Sequence, residues 1–288
     1  MQINEYGQKK KNVIGVPFLS PDINAMSYTD FISFIEEENR AAGGKKTIRE
    51  IVQNSFLDSN SSVLEVGATN GFTSLEIARL IKCKVCGLDL NENSINNAKE
   101  RAKRSGTFVD FVQGSSYELP FPDKSFDLVV CGNALSFMED KGQAISEIKR
   151  VIKDWGFCSI VPLWHKTIPP QDLLDRVSDA INSKIVSRKK SAWVDMMKEY
   201  GFELYCHSDH EFIDQGPQVI DAYVKLFLAK PHIDQLPQEV KDQIYLRWET
   251  TIELFNESLK YCCYSVMLFR KRTEPEEFEL FESIEKRQ

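Results

Sequence analysis

The sequence predicts an α/β protein in which helices cover a mostly parallel sheet. Apolar runs of strand length alternate with segments of helical periodicity from about residue 47 to about residue 207, and this alternation is typical of repeated strand and helix units. The connections between successive runs are long enough to cross back over a sheet. With 288 residues, 42% of them hydrophobic, the chain can form one large domain that carries a substantial insertion.

The predicted strands follow one another through this region. They cover residues 63–66, 85–90, 108–112, 126–131, 157–163 and 202–206. Apolar stripes predict the helices between them, and these stripes contain Phe72, Leu75, Ala78 and Ile81; Ile95, Ala98 and Ala102; Ala144, Ile148, Val151 and Ile152; and Trp193, Met197 and Tyr200. Gly201 is suited to end the last helix because glycine readily adopts the left-handed conformation found there.

The sequence pattern changes on both sides of this region. Residues 212–259 contain helical segments separated by prolines, which we interpret as a helical insertion, and a last strand over residues 261–269 then returns to the sheet. A helix is also predicted over residues 28–38, before a hinge at Gly43 and Gly44. The predicted units are an N-terminal helical lid (1–46), the sheet domain (47–211 and 260–271), the helical insertion as a substrate cap (212–259) and an acidic tail (272–288).

Composition limits the partners and the compartment. The net charge is −7, so we expect no attraction to nucleic acid or to anionic lipid. The polar first residues lack the apolar core of a signal peptide, and no run reaches the ~18 apolar residues that a membrane span needs. We expect a cytoplasmic protein whose seven cysteines are reduced. Cys83 and Cys86 have no second pair to complete a metal site, so no metal is expected.

The stretch VLEVGATNGF, residues 63–72, runs from the first strand into a glycine turn. Gly67 and Gly71 let a ligand approach the backbone, and the following helix offers free N–H groups to it. Glu65 places a carboxylate inside the strand, which is costly without a hydrogen-bonding partner. Pyrophosphate-binding turns need glycine at the first, third and sixth positions, but the third and sixth here are Thr69 and Phe72.

The spacing of glycine at the first, third and fifth positions fits better, with Thr69 in the middle place. Together with Glu65 before the turn and Asp89 ending the second strand, it resembles the class I S-adenosylmethionine-dependent methyltransferases. The stretch VQGSSYELPFPDKSFDLVVCGNALSFMED also looks like that family's third to fourth strand. The resemblance implies a Rossmann-like seven-stranded sheet with an antiparallel last strand, supplied here by residues 261–269, and S-adenosyl-L-methionine as cofactor.

The resemblance also implies roles for individual residues. Asp89 would hold the ribose hydroxyls, Ser115 or Ser116 would meet the adenine amino group, and residues after the fourth strand would lie near the sulfonium. The implied cofactor site comprises Glu65, Gly67, Ala68, Thr69, Gly71, Asp89, Leu90, Ser115, Ser116, Asn133, Ala134 and Ser136.

We expect methyl transfer to a small-molecule acceptor, with an oxygen or nitrogen atom favoured and a role in specialised metabolism. The sequence lacks the Pro-Pro-aromatic signature of methyltransferases that modify amino groups of nucleic acids and glutamine. His165 follows the fifth strand near the edge where ligands lie, so it is the acid–base candidate. His207 and His210 are predicted in a loop. Candidate contacts on the acceptor side are Tyr6, Arg40, Trp164, Tyr223, Phe227, Tyr245 and Trp248.

Two alternatives stay open at this point. A non-catalytic protein could keep the cofactor-binding fold as a scaffold, because Thr69 departs from the usual glycine and no base is evident. A nicotinamide-dependent oxidoreductase could use a related sheet, although Phe72 at the sixth position of the turn argues against it.

Overall fold

The computed structural model describes residues 22–273. Tyr6 and the predicted acidic tail helix lie outside these residues. The helices are α1 (Tyr28–Phe34), α2 (Lys45–Asn54), α3 (Phe72–Ile81), α4 (Glu92–Ser105), α5 (Lys141–Val151), α6 (Gln171–Ala180), α7 (Lys190–Glu199), α8 (Pro217–Leu228), α9 (Pro231–Asp234) and α10 (Gln238–Leu259). The strands are β1 (Ser62–Val66), β2 (Lys84–Asp89), β3 (Asp110–Gln113), β4 (Phe126–Val130), β5 (Ile152–Ile160), β6 (Leu163–His165), β7 (Phe202–Glu211) and β8 (Cys262–Lys271).

All eight strands form one sheet, and its centre is parallel. β3, β2, β1, β4 and β5 lie side by side in that order with parallel pairing. β8 runs antiparallel to β5 and also to β7, which pairs with its other edge. The predicted mostly parallel sheet with an antiparallel last strand is therefore confirmed.

The fifth predicted strand is divided in two. β5 pairs with β8 through Ile160, and the chain resumes at β6, which pairs with the next part of β8. Between them Val161 donates its N–H to the carbonyl of Gly132, and Pro162 has no N–H to give to a strand partner. β5 and β6 occupy the same position across the sheet, so the eight strands fill seven positions.

β7 is longer than the prediction. It continues to Glu211, so His207 and His210 lie on a strand and their predicted loop position is wrong. Buried or half-buried residues alternate with exposed ones along β7, and most of its side chains are polar, as expected for one face of an edge strand in water. Polar composition alone suggested a loop.

Helices cover both faces of the sheet and enclose two large apolar cores and a smaller one, which contains Ala98 of α4 and Phe111 of β3. On one face, α5 and α7 pack against β1, β4 and β5, and the largest buried side chain there is Trp193. On the other face, α2 and α3 contribute Ile48, Ile51 and Ile77 to a second core. Since the sheet centre is buried on both faces, its carboxyl edge is the place left for a ligand.

A further core lies outside the sheet and joins two distant parts of the chain. Residues 217–259, which we call the cap, fold as α8, α9 and α10. Phe31 and Ile35, at α1, pack with Val224 and Trp248 of the cap, and all four side chains are buried. Consequently α1 and the cap form one packed unit. None of the helices within residues 22–273 is long and apolar enough to cross a membrane.

Candidate cofactor and acceptor site

The glycine loop between β1 and α3 forms the floor of the candidate site. Gly67, Thr69 and Gly71 all have positive φ angles, of 80°, 44° and 78°. A Cβ atom on Gly67 would lie 2.6 Å from the Cβ of Ala134, and one on Gly71 would lie 2.6 Å from the Phe111 ring. The two glycines are therefore required both for the backbone conformation and for close packing.

Glu65 is buried beneath this loop and binds the first turn of α3. Its Oε2 accepts hydrogen bonds from the backbone N–H of Ser74 at 2.8 Å and from the Ser74 hydroxyl at 2.5 Å. Burial raises the pKa of Glu65 to about 7, against the lowering effect of these hydrogen bonds. The hydrogen-bonding partner expected for the buried Glu65 is thus the N-terminus of α3, and the carboxylate supports the glycine loop from below.

Asp89 stands at the end of β2, beside the glycine loop. Its Oδ2 accepts the N–H of Thr69 at 2.8 Å and its Oδ1 accepts the N–H of Asn91 at 2.9 Å. Burial raises the pKa of Asp89 although both hydrogen bonds lower it. The next residue, Leu90, leaves 72% of its surface exposed. An exposed apolar side chain next to a fixed carboxylate suits a ligand with a flat ring and a sugar.

The other residues of the implied cofactor site lie at the same edge. The Ser115 hydroxyl accepts the N–H of Tyr117, and the Ser116 hydroxyl lies 3.6 Å from the sulfur of Met138. After β4, Asn133 accepts a hydrogen bond from Ser136 at 2.6 Å. The structure therefore brings together segments that follow four neighbouring strands, as the resemblance implies. Their individual roles stay predictions.

A segment between α1 and α2 lies across the glycine loop and makes contacts that no sequence pattern indicates. We call residues 36–44 the strap. The Asn39 side chain donates to the Thr69 hydroxyl at 3.1 Å, and Asn70 donates to the carbonyl of Glu37 at 2.5 Å. Arg40 pairs with Glu38, and its guanidinium lies 4.7 Å from the centre of the Phe72 ring. Arg40 is thus placed at the start of α3, close to the loop.

Glu37 links the strap to the cap. Its carboxylate is buried, and Oε2 accepts a hydrogen bond from the Tyr223 hydroxyl of α8 at 2.8 Å. Burial raises the pKa of Glu37, while Tyr223, Asn39 and Lys230 lower it. Burial and the nearby Glu37 carboxylate also raise the pKa of Tyr223. No pattern in the sequence singled out Glu37, because it belongs to an acidic run, residues 36–38, that reads as a solvated surface.

The other predicted acceptor contacts are dispersed. Phe227 and Trp248 belong to the core of the cap, and the Trp248 indole N–H is buried without a partner among the described residues. Tyr245 has Asp221 and Glu249 as acceptors for its hydroxyl. Trp164 donates its indole N–H to Ser265 at 2.8 Å. Their roles toward an acceptor stay predictions, and Tyr223 is the one that contacts the strap.

His165 lies on β6, beyond the carboxyl end of β5. Its backbone N–H donates to the carbonyl of Arg188 at 3.0 Å, while its Nδ1 is buried without a hydrogen-bond partner among the described residues. Burial lowers the pKa of the imidazole, so the ring is neutral at neutral pH. β6 shares the sheet position of β5, two strand spacings from β1, which corresponds to about 10 Å across the sheet at a spacing of ~4.8 Å.

Comparisons with known proteins agree with this geometry. A family model described as a methyltransferase domain matches residues 64–160. A protein from Haemophilus influenzae is 28% identical over 60% of this chain and 70% of its own length. A sterol 24-C-methyltransferase from Gibberella zeae is 30% identical over 58% of this chain and 46% of its own length, so this chain spans less than half of that enzyme.

Among solved structures, the MccD protein superimposes with a TM-score of 0.69 at 21% sequence identity. The match covers 81% of this chain and 100% of that one, which establishes the shared fold. The matched region, residues 64–160, begins in β1 and contains the glycine loop, Asp89 and the turn after β4. Residues 64–160 therefore form a region that matches the methyltransferase domain family, and the chain shares the fold of the MccD protein.

Proposed function

We propose that this protein transfers a methyl group from S-adenosyl-L-methionine to an oxygen or nitrogen atom of a small molecule, in the cytoplasm. One observation carries the proposal: the glycine loop, Asp89 and the turn after β4 converge at the carboxyl edge of the sheet. A small acceptor rather than nucleic acid suits the net charge of −7. The cytoplasm suits the seven cysteines, all of which are free.

The residues present fit the cofactor. Gly67 and Gly71 expose backbone along the loop, Asp89 can accept from ribose hydroxyls, and the exposed Leu90 can cover one face of the adenine. Ser115 and Ser116 are the candidates for the adenine amino group. When bound, S-adenosylmethionine supplies an activated methyl group at the sulfonium. The protein then has to align the acceptor and exclude water, which can lower the barrier by about 7–11 kcal/mol.

The acceptor is proposed to bind under the cap, where Tyr223 contacts the buried Glu37 of the strap. His165 is proposed as the base for a hydroxyl or a protonated amine, because burial lowers the pKa of its ring, which is therefore neutral at neutral pH and can accept a proton. The sterol enzyme among the relatives is named for methylation at carbon. Analysis of the methylated product must therefore distinguish methylation at carbon from the proposed methylation at oxygen or nitrogen.

Calorimetry with S-adenosylhomocysteine, followed by incubation of the labelled methyl donor with a metabolite extract, tests the proposal. We expect binding by the wild type, a loss of at least tenfold in Asp89→Ala, and label on an oxygen or nitrogen atom of one product. Absence of binding would refute the cofactor assignment, and binding of NADH instead would favour an oxidoreductase. Tight binding without any label transfer would favour a scaffold.

Once an acceptor is known, His165→Ala tests the base. A general base contributes about 10²–10⁴-fold to the rate, so kcat should fall by about that factor with KM nearly unchanged, and the acidic limb of the pH profile should disappear. His207→Ala is the matched control, since His207 lies on the edge strand β7. Full turnover by His165→Ala would exclude His165 as the base.

A further inference from the structure

The two oxygens of Asp89 are fixed from opposite sides. Thr69, in the glycine loop, donates its backbone N–H to Oδ2 at 2.8 Å. Asn91, which begins the turn into α4, donates its backbone N–H to Oδ1 at 2.9 Å. A carboxylate held by one donor at each oxygen has its plane fixed, so the positions of its remaining lone pairs are fixed as well.

Each of these donor residues is in turn bound by a side chain from the N-terminal part of the chain. The Asn39 amide of the strap donates to the Thr69 hydroxyl at 3.1 Å. The Asn91 amide donates to Oδ1 of Asp30, on α1, at 2.9 Å. α1 and the strap therefore contact both residues that orient Asp89.

The contact at residue 69 depends on the hydroxyl of Thr69. Its φ angle of 44° is unfavourable for a β-branched residue, and a glycine would remove that strain but would have no hydroxyl for Asn39. Strained backbone at a ligand site persists where surrounding contacts hold it. Thr69 has such a contact on each side, Asn39 at its hydroxyl and Asp89 at its N–H.

We propose that Asn39 and Asp30 are positioning residues that act through Thr69 and Asn91 to orient Asp89 toward the two hydroxyls of the cofactor ribose. This inference rests on the proposed function. Neither side chain is required to touch the cofactor. Their effect is to make recognition of the ribose depend on α1 and the strap being docked on the sheet domain.

The strap also contacts the sheet domain through residues other than Asn39. Arg101 of α4 pairs with Glu38 at 2.5 Å, and Asn70 donates to the Glu37 carbonyl at 2.5 Å. Loss of the Asn39 amide therefore leaves the strap in place. Substitution of Asn39 then changes the orientation of Thr69 without releasing the lid.

The test measures affinity for S-adenosylhomocysteine and for its 2′-deoxy analogue by calorimetry. The ratio of the two affinities reports how well the protein recognises the ribose hydroxyl. We expect Asn39→Ala to weaken binding of S-adenosylhomocysteine about three- to tenfold, the usual effect of one hydrogen bond, and to leave the deoxy analogue nearly unchanged. The ratio should fall toward the value for Asp89→Ala.

Thr69 provides a matched pair of variants. Thr69→Val keeps the shape and loses the hydroxyl, so it should behave like Asn39→Ala, while Thr69→Ser keeps the hydroxyl and should retain the wild-type ratio. The double variant Asn39→Ala with Thr69→Val should be no worse than either single variant, because both remove the same hydrogen bond.

Asp30 has its own control. Asp30→Ala should lower the affinity ratio, whereas Asp30→Asn keeps an acceptor for Asn91 and should restore it. Ser27→Ala removes the hydroxyl that donates to the other oxygen of Asp30 and caps α1. It should lower thermal stability without changing the ratio.

The possible outcomes are distinct. If the wild type binds no S-adenosylhomocysteine, the proposed function itself fails. If it binds, and the variants lose affinity for both ligands equally, Asn39 and Asp30 are merely structural and the positioning role is overturned. Unchanged affinities in Asn39→Ala and Asp30→Ala would overturn it too, and so would an unchanged ratio in Asp89→Ala.

Discussion

Substitution of Glu65 by glutamine should stabilise the protein at alkaline pH. Burial raises the pKa of this carboxyl from 4.5 to about 7 in the folded state. The folded protein therefore keeps the proton between pH 4.5 and 7, while the unfolded chain releases it. Fewer bound protons in the unfolded state mean that the free energy of unfolding falls as the pH rises through this window.

The magnitude follows from the size of the pKa shift. Each unit corresponds to 1.36 kcal/mol, so the wild type should lose about 3 kcal/mol between pH 4.5 and a pH above 7. Glutamine cannot ionise, and its amide oxygen can still accept both hydrogen bonds from Ser74. The advantage of Glu65→Gln over the wild type should therefore grow by about 3 kcal/mol across this window.

Urea denaturation at several pH values from 4.5 to 8.5 measures this difference. Glu147→Gln is the control, because hydrogen bonds from Arg150 lower the pKa of Glu147. The stability that this carboxylate contributes is fully present above its unfolded pKa and is lost only as the pH falls through its lowered folded pKa, so the cost of its replacement should stay nearly constant across this window. A difference between Glu65→Gln and the wild type that does not change with pH would refute the reasoning.

Three further results are expected. Gly67→Ala should destabilise the protein more than Gly106→Ala in thermal melts. Both residues have a positive φ, which costs about 1–2 kcal/mol for alanine, but only at Gly67 would the added Cβ also collide with a neighbour, whereas a Cβ at Gly106 meets nothing within 4 Å. Equal losses of stability in the two variants would contradict this prediction. Tyr223→Phe should cost about 1–3 kcal/mol in urea denaturation because it leaves the buried Glu37 without that partner. Tyr245→Phe should cost less, because the hydrogen bonds of its hydroxyl are only partly buried. S-adenosylhomocysteine at 100 times its Kd should raise the free energy of unfolding by about 2.7 kcal/mol, and an unshifted melt at that concentration would contradict specific binding.

The sheet and the glycine loop could be predicted because their signals are local. Buried parallel strands are apolar runs bounded by turns, and Gly67, Gly71 and Asp89 occur at fixed offsets from strand ends. Prolines also marked the helical insertion. These patterns required no knowledge of contacts between distant parts of the chain.

The remaining features depend on such contacts. Asn39 and Thr69 are 30 residues apart, and no periodicity links an exposed amide to a loop hydroxyl. The sequence also gave no means to decide which aromatic side chains of the insertion face a ligand, and Trp248 is buried in the core of the cap. The division of the fifth strand at Pro162 reflects the place where β8 changes partners.

The core shared by α1 and the cap has a consequence for how the protein is made. α1 is synthesised about 180 residues before α8 begins, so at ~5–20 residues per second Phe31 and Ile35 wait about 10–40 s for their apolar partners. During that interval the nascent chain carries an uncovered apolar helix. Production of the protein should therefore respond to chaperone supply, and a version that begins at residue 45 should leave the cap prone to aggregate.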